Sequence, residues 1–305
     1  MKKKYTVLTV TLLILIGILA LFLVVLTFNT EFKEDVAMIP EFEAIDDSTK
    51  NQIEGERENS KTELDTTQAE DSGVNQGEIH SQKDNNGSYW SGKKAIMLGD
   101  SIVDYDGDVN MYDVNEIIVG YTHYLYELGF EYIDNQGHDG AGIAFHDSGG
   151  KDVCSVVNNI NFSEYDLVII SAGVNDFLWL CSPLGDIDNE NFDIECFYGA
   201  YQYILTKIRS DNPNAIIVIT TPLRCDSYAS YQEYNACQLN LEAYANAIKE
   251  IGKKYDIGVI DLFSLEEFNQ NMRIYTLDGL HPNNDGYEII SEECLVPFIK
   301  SLKSE

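Results

Sequence analysis

Tyr165-Asp166-Leu167-Val168-Ile169-Ile170-Ser171 runs directly into Ala172-Gly173-Val174-Asn175-Asp176. The core of this stretch is short, continuously apolar and rich in β-branched residues, so it reads as a strand buried on both faces, followed at once by a polar turn. Working outward, Ala95-Ile96-Met97-Leu98 before Gly99 and Ala215-Ile216-Ile217-Val218-Ile219-Thr220 have the same texture. Glu131-Tyr132-Ile133 and Gly258-Val259-Ile260-Asp261-Leu262 are further candidate strands. Between them lie stretches with helical spacing: Tyr121 to Leu128, stopped by Gly129; Phe197 to Arg209; Leu239 to Tyr255; and Gly286 to Leu302. Strands that alternate with helices predict an α/β domain with a mainly parallel sheet of about five strands covered on both faces. In such folds ligands bind in the loops that follow the carboxyl ends of the strands.

The whole chain has 305 residues and is strongly acidic, with 20 Lys plus Arg against 51 Asp plus Glu and a net charge of −31. Such a chain is a poor partner for a phosphate backbone, so nucleic acid is not expected to bind. Charge divides the chain into three parts. Residues 1–29 carry only Lys2, Lys3 and Lys4; residues 30–92 hold 5 basic and 16 acidic side chains; residues 93–305 hold 12 and 35.

Tyr5 to Phe28 contains no charged residue. As a helix its 24 residues would reach roughly 36 Å, enough to cross a hydrocarbon layer of about 30 Å. A cleaved secretory signal is the competing reading, but its apolar core is usually shorter and ends at small residues, which Leu26-Thr27-Phe28-Asn29 does not supply. The positive-inside rule keeps Lys2 to Lys4 in the cytoplasm and puts everything after Asn29 outside. The expectation is a single-pass anchor in the cell membrane (1–29), an acidic flexible linker (30–92) too poor in large apolar residues to fold, and an extracellular domain (93–305).

Four short blocks carry reactive side chains. Gly99-Asp100-Ser101 follows the first strand. Asn135-Gln136-Gly137-His138-Asp139-Gly140 is read as a loop after the second, Gly173-Val174-Asn175-Asp176 follows the third, and Asp278-Gly279-Leu280-His281-Pro282 precedes the last helix. Each block alone could be a turn or a helix cap. Their order, each at a strand end or before the final helix, makes them a set.

With these blocks the chain strongly resembles the SGNH hydrolases, the GDSL-type esterases and lipases, over about Lys93 to Ser304. The resemblance implies a flavodoxin-like three-layer α/β/α sandwich. It also implies Ser101 as nucleophile, His281 as base and Asp278 as the acid that orients it. Ser101 and Gly140 through their backbone N–H groups and Asn175 through its amide would form the oxyanion hole, with Gly137 and Gly142 as rivals for the role of Gly140. Residue chemistry agrees. A serine hydroxyl needs a base to take its proton, an imidazole with its ordinary pKa of about 6.5 suits that task, and a carboxylate fixes the tautomer. His138 and His146, flanking the glycine loop, are the competing histidines. No metal or other cofactor is called for, and there is no Gly-x-Ser-x-Gly elbow.

Asp104, Asp106, Asp108, Asn110 and Asp113 imitate a calcium loop but have Val109 and Asn115 where Gly and Glu are needed. Cys154, Cys181, Cys196, Cys225, Cys237 and Cys294 form an even set for an oxidising compartment; closeness in sequence suggests Cys181 with Cys196 and Cys225 with Cys237. Trp179 is either a cleft residue or core. The expected activity is hydrolysis of short acyl esters, acetyl above all, on a carbohydrate or another small ester, through an acyl-enzyme. A lysophospholipase or lipase, an O-acyltransferase with the same triad, and a non-catalytic carbohydrate-binding surface domain are the alternatives.

Overall fold

The computed structural model describes residues 88–146 and 151–302. The expected membrane segment and nearly all of the acidic linker lie outside the described residues. Among the described residues no helix is long and apolar enough to cross a membrane.

Among the described residues nine strands occur in chain order: β1 (Lys94–Gly99), β2 (Val109–Asn110), β3 (Asp113–Ile117), β4 (Tyr132–Gly137), β5 (Leu167–Ser171), β6 (Ile216–Thr220), β7 (Asp226–Ser227), β8 (Ala229–Ser230) and β9 (Gly258–Ile260). Five of them form one sheet in the order β4-β1-β5-β6-β9, and every pairing in it is parallel. The short pairs β2–β3 and β7–β8 are antiparallel hairpins outside it.

Alternate strand residues serve two cores. Ile96, Leu98, Val168, Ile170, Ile217 and Ile219 face a layer built from the helices Phe197–Asp211 and Leu241–Tyr255. Ala95, Met97, Leu167, Ile169, Val218 and Ile260 face the opposite layer, with Tyr121, Leu125, Tyr287 and Ile299 from the helices Tyr121–Tyr126, Asn284–Ile290 and Val296–Ser301. This is why the strands read as unbroken apolar runs: a period of two has no polar face to show when both faces are covered. The three-layer α/β/α architecture expected from the sequence is the one observed.

Three boundaries differ from expectation. The stretch Asn135-Gln136-Gly137, expected as loop, completes β4, a sheet edge where polar side chains are tolerated; the Asn135 side chain donates to the Val103 carbonyl and accepts from Gly137 N–H. The final helical segment is broken into Asn284–Ile290, a π-turn over Ser291–Leu295, and Val296–Ser301. The packed domain begins before Lys93: Trp90 is 2% exposed, stacks on Phe130 with ring centroids 5.0 Å apart, and donates its indole N–H to the Ile299 carbonyl.

Candidate active site

Gly99 ends β1 so close to Ser171 O and Val103 that a side chain there would collide with both. Asp100 then caps the short helix Ser101–Asp104 by accepting from Ile102 N–H at 3.0 Å. Ser101 is therefore the first residue of a helix at the carboxyl end of a central strand. Asp100 is 2% exposed, and burial pushes its carboxyl up to about 7 against the capping hydrogen bond and the nearby His281.

His281 reaches this serine from a loop 180 residues away. Its Nε2 lies 2.9 Å from Ser101 Oγ, and its Nδ1 lies 2.8 Å from Asp278 Oδ2. The other oxygen, Asp278 Oδ1, accepts from the backbone N–H groups of Leu280 and His281, so one carboxylate shapes the turn and aims the ring. Gly279, at φ +87, takes the left-handed step this turn requires. Burial pulls the Asp278 carboxyl upward, but hydrogen bonds from the His281 ring and the two backbone N–H groups outweigh it and hold the group below the ordinary carboxylate range. An ionised carboxylate only accepts, so Nδ1 carries the ring proton and Nε2 is left to accept from the Ser101 hydroxyl. The loop is fixed in turn by the helix that follows it. Asn283 caps that helix, and Tyr287 donates its hydroxyl to the Ile102 carbonyl at 2.6 Å, beside the serine.

The facing wall carries the glycine loop. Gly137 lies in β4, where a Cβ would sit 2.2 Å from Asp104 N, and at Gly142 a Cβ would meet Leu180 and the Asp176 carboxylate. Gly140 differs from both: it is exposed, sits at φ +75 with open space around its Cα, and its N–H is not used in a hydrogen bond among the described residues. Asn175 lies on the helix Val174–Leu178 after β5, and its Nδ2 donates to the Ala141 carbonyl at 3.0 Å. One amide proton is thereby spent next to Gly140 and the second remains for another acceptor.

Asp176 is a residue of the site's framework that the sequence reading did not single out. Fully buried, it accepts from Ile143 N–H at 2.7 Å, Ala144 N–H at 3.1 Å and the Ser182 hydroxyl, and so ties the glycine loop to the Asn175 helix. Burial raises its carboxyl to about 6, with those donors pulling the other way. The only signal was a carboxylate beside Asn175, read as part of a turn. Among the described residues neither competing histidine is hydrogen-bonded to Ser101: His146 pairs with Ser182 at 3.2 Å, and His138 meets the serine block only through its backbone N–H, which donates to the Gly99 carbonyl. In the acidic stretch after Ser101, Asp106 accepts from Gly120 and Thr122, and Asp104 accepts from Asp139 N–H. All six cysteines are thiols. Cys237 lies against Cys181, its Sγ 2.8 Å from that carbonyl oxygen, while Cys225 is buried and donates to Ala229.

A sequence profile of the GDSL-like lipase/acylhydrolase family matches residues 97–289, the span from within β1 to the helix Asn284–Ile290. Among curated protein sequences there is no match. Solved structures share the fold. A protein from Lactobacillus plantarum is 24% identical with a TM-score of 0.57, covering 69% of this chain and 98% of its own. A possible lipase from Chitinophaga pinensis is 24% identical with a TM-score of 0.56, covering 70% and 100%. With that profile running through all four reactive blocks, the chain belongs to the GDSL-like lipase/acylhydrolase family, the SGNH hydrolases, whose members are serine enzymes that cleave ester bonds.

Proposed function

We propose that this enzyme is a serine esterase that removes short acyl groups, acetyl above all, from carbohydrate, and that its N-terminal segment holds it at the outer face of the cell membrane. The observation that carries the chemistry is the buried relay from Ser101 Oγ to His281 Nε2 and from His281 Nδ1 to Asp278. Ser101 Oγ attacks the ester carbonyl carbon while His281 Nε2 takes the hydroxyl proton, and Asp278 stabilises the resulting imidazolium. The carbonyl oxygen becomes an oxyanion met by the N–H groups of Ser101 and Gly140 and by the unspent proton of the Asn175 amide. Each such donor is worth roughly 3–4 kcal/mol of barrier. Collapse expels the alcohol, which takes the proton from His281 and leaves the acyl group on Ser101. Water then attacks the acyl-enzyme with His281 again as base, releasing the acid and restoring the serine.

Charge supports the substrate class. With 12 basic against 35 acidic residues in 93–305, the domain would be repelled by anionic headgroups. That disfavours a phospholipase acting on the membrane to which it is tethered and favours a neutral glycan. The test compares kcat/KM on acetylated xylan fragments, p-nitrophenyl esters of increasing chain length, and lysophospholipid. Fast acetate release with a fall-off beyond short acyl chains is expected; preference for long chains or lysophospholipid would overturn the glycan reading. Protease added outside intact cells should release the domain, and protection from it would contradict the tethering.

A further inference from the structure

Beyond the reacting groups, the cleft carries a set of aromatic side chains that the chemistry does not use. Trp179 sits one helical turn after Asn175, its N–H donating to the Asn175 carbonyl, and is 57% exposed. Tyr228, at the turn between β7 and β8, is 68% exposed and holds φ +57, a left-handed conformation uncommon for an aromatic residue. Its hairpin is docked on the histidine loop: Asp226 N–H donates to the Gly279 carbonyl at 3.0 Å, and a Cβ at Gly279 would lie 3.2 Å from Asp226 O. The two rings meet edge to face, with centroids 5.0 Å apart and planes at 64°. Burial pushes the Tyr228 hydroxyl up, and the neighbouring Asp278, Tyr112 and Asp139 add to it. Tyr105 lies beneath, its ring tilted over His281 with centroids 4.9 Å apart.

Single exposed aromatics are ordinary, but two packed against each other at the mouth of one site, one of them in a strained turn, are not. Resting on the reading of this enzyme as a glycan esterase, we propose that Trp179 and Tyr228 form a sugar-binding subsite that stacks a neutral pyranose ring adjoining the esterified residue. Sugar rings present C–H faces to an aromatic plane and hydroxyls to acceptors, and carboxylates stand at this rim: Asp226 in the Tyr228 hairpin and Asp278 beside Gly279, on which that hairpin is docked. An acyl chain needs an enclosed apolar channel instead. One cavity under the Ser101 helix, lined by Asp100, Ile102, Tyr121, Ser171 and Leu223 but not by Ser101 itself, has a volume of about 10 Å³. That is about the room one water needs. The same carboxylates repel an anionic headgroup.

Two measurements test the subsite. First, Trp179→Ala and Tyr228→Ala should lower the ratio of kcat/KM on acetylated xylotetraose to that on p-nitrophenyl acetate by about tenfold, mainly through KM, with Trp179→Phe recovering most of the loss. An unchanged ratio overturns the proposal, as does a loss that falls equally on both esters. Second, Ser101→Ala removes turnover, and only two Trp are present, of which Trp90 is buried, so Trp179 fluorescence reports the rim. Titration with acetylated xylotetraose should give a saturable change whose Kd rises about fivefold or more in Ser101→Ala/Tyr228→Ala. No binding signal, in an enzyme that does cleave acetylated xylan, would sink the subsite and leave the esterase reading standing. An enzyme that cleaves p-nitrophenyl acetate but no acetylated glycan would sink the glycan reading and the subsite together, while leaving the serine mechanism.

Discussion

The two walls of the cleft are held by different kinds of interaction. On the serine wall, side chain meets side chain: Ser101, His281 and Asp278 are joined by two hydrogen bonds of 2.9 and 2.8 Å, and the acid and base are three residues apart in one turn. On the glycine wall, a fully buried carboxylate meets backbone. Asp176 holds Ile143 and Ala144 N–H groups more than thirty residues away, and so bears on Gly140 through that loop while sharing a helix with Asn175. In the proposed mechanism the partners on the first wall are reacting groups, so it should lose its chemistry with little loss of fold. The second cannot, because its key residue supports shape and stability together and leaves two buried donors unpaired when removed.

The sharpest break is on the first wall. Ser101→Ala and His281→Ala should each lower kcat/KM by about a thousandfold or more with Tm close to wild type, measured on p-nitrophenyl acetate beside a thermal melt. Asp278→Asn should be severe but milder. Asn175→Ala removes one donor to the developing oxyanion and should cost about a hundredfold in kcat with KM little changed. Asp176→Ala should differ in kind: on the order of 3 kcal/mol of stability lost in denaturant melts together with activity, and Asp176→Asn, which keeps one acceptor, recovering part of both. If Asp176→Ala left Tm unchanged, the proposed division between the walls would be wrong.

The smallest effect is in pH. Burial raises Asp100 from 3.8 to about 7 and Asp176 to about 6, so between these limits the folded state binds more protons than the unfolded one and stability falls as pH rises. Asp278 is shifted the other way and contributes stability that is lost only on acidification below the usual carboxylate range. Asp100→Asn keeps the oxygen that caps Ile102 but cannot ionise. Its Tm relative to wild type should climb from about pH 4 to about pH 7 and then level off, read by melts across that range; a constant difference would contradict a raised Asp100.

The serine wall was legible in the sequence because its logic is local. Asp278-x-x-His281 puts acid and base within one turn, and Gly99-Asp100-Ser101 sits at a strand end that the apolar run of β1 announces. The glycine wall was legible only in part. Asn175 and Gly140 lie in recognisable blocks, but Asp176 acts on N–H groups across the fold, and no spacing rule connects it to residues 143 and 144. Trp90 was missed for a related reason. It follows a linker-like acidic stretch, and its partners Phe130 and Ile299 come from the domain's interior and its far end. The turn that holds Tyr228 left no trace either, since a left-handed conformation is expected of Gly or Asn rather than Tyr.

The central claim is that the fold makes one hydroxyl, Ser101 Oγ, nucleophilic through His281 and Asp278. Treating the enzyme with a fluorophosphonate and mapping the adduct by peptide mass spectrometry tests it directly. A single adduct on Ser101 should form in step with loss of esterase activity and fail to form in His281→Ala. Labelling at another residue that tracks the loss of activity, or undiminished esterase activity with Ser101 unlabelled, would contradict it.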